Sequence, residues 1–122
     1  MTKSSEEHIN VYYQEPVPSA FDEFYLVLLD HGPNHEEPQT AAEREQLEQN
    51  QLAHLAFLKE LYDQGLSAGA GPFSDGKGGL ILLRAGDLGE EDVESMLNSD
   101  AHIRSGRLAP RIRKFVMPKG IL

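Results

Sequence analysis

Cysteine is absent from the chain. That excludes disulfides, thiolate nucleophiles and thiolate zinc sites, and it fits a reducing compartment. No apolar run approaches the roughly 20 residues that a membrane-spanning helix needs. The first residues lack the basic-then-apolar order of a signal peptide, so the sequence reads as cytoplasmic. Positive charge is also scarce. Acidic residues outnumber basic ones by 20 to 11, and the formal charge is −9. A nucleic-acid surface needs the opposite balance to displace counterions, so nucleic acid is not an expected partner. The bases are unevenly placed, however. Arg104, Arg107, Arg111, Arg113, Lys114 and Lys119 all follow residue 103. This leaves room for a local anion site near the C-terminus.

What is present suits one folded domain. A chain of 122 residues with ordinary apolar and charged fractions can bury one core and not two. Residues 1–20 read as a flexible tail, polar from Met1 to Glu7 and unsuited to a regular helix at Pro16 and Pro18. Val11, Tyr12 and Tyr13 interrupt that polarity and suit a docked short strand or arm and, equally, a loosely ordered segment. Residues 21–118 form the domain, and residues 119–122 a short C-terminal tail.

The first clear strand is Glu23 to Asp30. Its apolar run does not alternate, which suggests burial on both faces. His31 to Pro38 is a loop by its Gly, Pro and Asn. Thr40 and Glu43 have the spacing of a capping box and open a long helix. Leu47, Leu55, Leu58, Leu61 and Tyr62 form its expected apolar stripe, and Gly65 ends it. Leu66 to Ala70 reads as a weak edge strand, Gly71 to Gly79 as a hairpin connection, and Leu80 to Ala85 as a second non-alternating strand. Asp87 to about Asn98 is a helix with an acidic first turn. Ser99 to Gly106 is a short turn or final helical piece. Arg107 to Val116 is the last strand, and Pro110 confines it to a sheet edge.

The order β-α-β-β-α-β is the split βαβ pattern. It defines an α+β, ferredoxin-like βαββαβ domain, an antiparallel four-stranded sheet with two helices on one face. The two non-alternating strands fall at its centre. Apolar side chains on the other face need cover, and pairing of two copies is the simplest cover. A homodimer is therefore expected.

A strand leads to a helix carrying His54-Leu-Ala-Phe-Leu58. Gly65 and Gly69-Ala-Gly-Pro72 follow. A second strand and helix then lead to Ser99-Asp100, Gly106 and a final edge strand. In this order and spacing the chain resembles the YciI-like (YCII-related) family over about residues 22–117. The resemblance implies a ferredoxin-like fold and a dimeric α+β barrel. It also implies a His and Asp pair in a small pocket, falling on His54 and Asp100. Relatives of this architecture include isomerases and elimination enzymes acting on small cyclic compounds. The chain departs from the family at Ala101-His102, where Pro often follows the Asp, and in a longer loop from Asp30 to Thr40.

Each candidate residue has two readings. His54 lies on or beside the buried stripe of its helix, where an imidazole can move a proton near neutrality or simply sit hydrogen-bonded at the core edge. Asp100 either orients that ring or caps the turn that follows it. Gly71 and Pro72 form a pocket wall or, as the plainer reading, a turn. Arg111 and Arg113 share one strand face, opposite Leu108 and Ile112, and either hold an anionic substrate or pair with acids across the dimer. His31, His35, Glu36 and Glu37 resemble a metal site only weakly, and a solvated loop is the favoured reading. Gly76 to Gly79 lacks the ending of a phosphate-binding loop. No metal or organic cofactor is expected. The leading function is a small-molecule lyase or isomerase using His54 and Asp100. The competing ones are a small-ligand binding module and a purely structural His–Asp pair.

Overall fold

The computed structural model describes residues 21–122. The expected N-terminal tail, including Val11 to Tyr13, lies outside the described residues. Four strands form one antiparallel sheet: β1 (Phe21–His31), β2 (Ser67–Pro72), β3 (Gly79–Arg84) and β4 (Leu108–Pro118). Among the described residues three helices accompany them: α1 (Ala41–Asp63), α2 (Glu90–Leu97) and the short α3 (Ala101–Arg104). The sheet order is β2-β3-β1-β4. This is the ferredoxin-like arrangement, with β1 and β3 central and β4 at an edge. Pro110 of β4 stands opposite Leu29, where a missing N–H costs no ladder bond on the outer side.

Strand side chains alternate between faces. From one face Tyr25, Val27 and Leu29 of β1 and Ile81 and Leu83 of β3 enter a core completed by Leu61, Val93 and Leu97 from the helices. The Tyr25 hydroxyl donates to Leu88 O, 2.9 Å away, so its polar end is satisfied. The other face carries Leu26, Leu28, Leu80 and Leu82, which are only half-buried. The unbroken apolar runs therefore do not mean burial on both faces within one chain. Among the described residues the helices cover one face and not the second, where Phe24 alone of β1 is buried.

Helix α1 starts as its sequence predicts. Thr40 Oγ1 accepts from Glu43 N at 3.0 Å, and Glu43 Oε1 accepts from Thr40 N at 3.2 Å. It ends in a Schellman motif, with Gly65 N donating to Tyr62 O and Leu66 N to Leu61 O. Gly65 has φ 77°, a conformation that costs glycine little. Its buried face differs from the expected stripe. His54 and Leu61 are buried, with Phe57 and Leu58 packed beside them. These four follow i, i+3, i+4, i+7 spacing. Leu55 and Tyr62 are each one residue further on, turned about 100° away, and are 51% and 66% exposed.

The shorter elements shift by a few residues. β2 runs to Pro72, so Gly71 and Pro72 belong to the strand rather than the turn. The hairpin loop itself is closed by Phe73 N donating to Gly78 O. β4 extends to Pro118, and beyond it Gly120 N donates to Asp22 Oδ2.

Leu83 is fully buried, whereas Leu52 is 68% exposed. Leu83→Ala is expected to cost about 2–5 kcal/mol, because it removes contacts and leaves a cavity. Leu52→Ala is expected to change stability by no more than about 0.5 kcal/mol. Urea unfolding of the two variants checks this, and equal losses would contradict the assigned core.

Candidate functional site

The middle of α1 faces the start of α3. Asp100 ends the turn after α2 and is the N-cap of α3, with Oδ2 accepting from Ile103 N at 3.2 Å. Its other oxygen, Oδ1, lies 2.8 Å from His54 Nδ1. Asp100 is fully buried and His54 nearly so. A carboxylate accepts, so neutral His54 carries its proton on Nδ1 and keeps a lone pair on Nε2. Both readings of Asp100 therefore hold at once. It caps the helical turn and binds the imidazole.

His54 lies on the wall of a pocket of about 280 Å³. Leu29, Leu55, Leu58, Ile81 and Leu108 supply apolar wall. Gly71 and Pro72, at the end of β2, belong to the same wall. Arg111 and Arg113 do not reach it. They stand opposite Leu28 and Leu26 and share the open face of the sheet with them. Arg111 Nε donates there to Asp30 Oδ2 at 2.6 Å.

The sequence reading left out much of the polar lining. His31, His35, Gln51, His102 and Arg107 all border this pocket. His31 and His35 stack with ring centroids 3.5 Å apart in a loop that is otherwise mostly exposed. Among the described residues no group of three or more His, Asp or Glu side chains is placed to hold a metal ion. His102 lies 4.9 Å from His54, centroid to centroid, and its Nε2 is 2.7 Å from Gln51 Oε1. An amide oxygen accepts, so His102 carries the opposite tautomer, protonated on Nε2. Its Nδ1 is buried and bonds to no group among the described residues.

A close backbone approach builds the far wall. Gly32 N donates to Arg107 O at 2.8 Å, and Asn34 N to Gly106 O at 2.9 Å. Asn34 Nδ2 donates to Ser105 O, and Arg107 Nη1 to Glu36 O. A Cβ on Gly32 would stand 2.2 Å from Gly106 O, so only glycine fits there. The only sequence signal for this wall was the cluster of bases after residue 103. Spacing alone does not reveal that a loop folds across it.

A YCII-related domain model matches residues 24–114. The chain belongs to the YCII-related family. The match covers His54, Asp100, Gly71 and Pro72, together with the loop from His31 to Thr40. No curated protein matches the sequence of this YCII-related chain. Among its described residues no helix is long and apolar enough to cross a membrane.

Burial, and then the neighbouring His54, hold the His102 imidazole below its ordinary value of 6.5, while Asp100 pulls the other way. His35 is likewise lowered, by burial first and then by Arg107. A histidine with a lowered folded-state pKa binds a proton more readily when unfolded. Its stability contribution is thus present above about pH 6.5 and lost as pH falls toward the folded-state value. His102→Gln is expected to flatten the loss of urea stability between neutral and mildly acidic pH. An unchanged slope would mean that His102 does not control it. In mildly alkaline solution, ¹⁵N NMR should show pyrrole-type Nδ1 for His54 and pyrrole-type Nε2 for His102. One tautomer on both rings would contradict these hydrogen bonds.

Proposed function

We propose that this YCII-related protein is a cofactor-independent lyase or isomerase that moves a proton on a small organic substrate, with His54 as general base and acid. The observation that carries this reading is the 2.8 Å contact between His54 Nδ1 and buried Asp100, on the wall of an otherwise largely apolar pocket. With Nδ1 bound, Nε2 is the nitrogen available to substrate. It takes a proton from a substrate C–H, and the C–H electron pair moves into the substrate. Asp100 stabilises the imidazolium that forms without taking the proton itself. In an isomerisation the proton returns to a different carbon. In an elimination the electron pair forms a double bond as the leaving group departs.

The pocket is small by the standard of ligand sites, which run from roughly 300 Å³ upward. Its occupant is accordingly a small molecule. The same reading makes the working unit a homodimer. The half-buried leucines of the open face, with Arg111 and Arg113 beside them, form a flat surface suited to a second copy.

A panel of small carbonyl compounds in D₂O tests the chemistry. Proton NMR should show the wild type exchanging the acidic C–H of at least one of them. His54→Gln is expected to lower that rate by about 10²–10⁴-fold. Exchange that is indifferent to His54 would sink the catalytic reading and leave a small-ligand binding module.

A further inference from the structure

The pocket differs in charge from the molecule that contains it. The chain carries a formal charge of −9, yet neither Asp nor Glu is among the residues bordering the pocket. Asp100 stands behind His54, with no exposed surface. The one permanent charge on the wall is the Arg107 guanidinium. No carboxylate among the described residues pairs with it. Its Nη1 donates to the backbone oxygen of Glu36, 3.0 Å away. Arginine has five N–H donors in a planar fork, so this bond anchors the side chain and leaves donors over.

The surroundings favour use of those donors. Leu29, Leu108 and the leucines of α1 border the same space and supply apolar surface in the pocket that Arg107 lines. Arg107 is also held in place before any ligand arrives, through Glu36 O by its side chain and through Gly32 N by its backbone. Burial and then Arg107 itself lower the pKa of His35, which favours its uncharged form.

We infer that Arg107 is the anion-binding residue of this pocket and that the substrate is a small carboxylate, held by its carboxyl group at Arg107 with its apolar body along the leucines. This rests on the pocket being the substrate site and adds the substrate's chemical class to it. Arg111 and Arg113, on the other face of the sheet, take no part in binding it.

Calorimetry on the full chain, with benzoate and succinate against benzamide and succinamide, tests the assignment. The acids should bind, and each amide should bind at least ~10-fold more weakly, the loss expected for one charge-assisted contact. Arg107→Gln should abolish the preference, Arg107→Lys should retain part of it, and Arg111→Gln should keep it. Equal binding of acids and amides, or no binding of either, overturns the inference. So does a preference that survives Arg107→Gln or disappears in Arg111→Gln. Should Arg107→Gln fail to fold, the comparison on wild-type protein still decides. An Arg107-dependent preference without His54-dependent proton exchange leaves the anion site standing and removes the catalytic reading. His54-dependent exchange without any acid preference does the reverse.

Discussion

The buried carboxylate of Asp100 is the constraint around which the site is organised. A carboxylate without exposed surface is tolerated only when its oxygens are engaged. One oxygen takes the ring N–H of His54 and the other the backbone N–H of Ile103. Two elements distant in sequence are thereby held together, the middle of the long helix and the start of the shortest. The first of these bonds selects the tautomer of His54 and leaves the lone pair on Nε2. Structural support and chemical orientation are thus one arrangement of atoms, and neither can be altered alone.

The sheet divides the remaining work between its faces. The helix-covered face supplies the core and, toward one end, the floor of the pocket. The open face carries a row of leucines with arginines at its margin. Which strand residues serve which role follows from alternation alone. Leu108 and Ile112 go toward the helices, and Arg111 and Arg113 go the other way. Arg111 and Arg113 of β4 therefore reach the open face, whereas Lys114 turns to the other face over the Tyr25 ring, and Arg107, just before the strand begins, reaches the pocket.

The fold was legible in the sequence because its signals are local. Thr40 with Glu43, Gly65, Pro110 and the two apolar runs each specify an end, an edge or a centre, and they agree with one another. His54 and Asp100 were legible through the resemblance, together with the helix that carries one and the turn that carries the other. The buried row of α1 was less so, because Leu55 and Tyr62 are as apolar as its true members. The pocket's second wall was not legible. His31, His35 and Arg107 come together through backbone and side-chain bonds between a loop and a strand start more than 70 residues away. Nothing in the local composition of either segment announces that meeting.

The close contact between Gly32 and Gly106 also has a bearing on how such a pocket changes over generations. It fuses the beginning of the loop to the entrance of β4, so insertions there would open the seam, whereas the stretch near Gln39 has no such tie to the strand. Residues on the two sides of the seam are tied to a common fate. A descendant with a different ligand would have to exchange His35 and Arg107 as a matched set, since each is held in position by the segment that bears the other. On the proposed reading, variation in ligand preference is easiest from the third side, at Leu55, where an exposed helix surface meets the mouth and the backbone has no stake in the outcome.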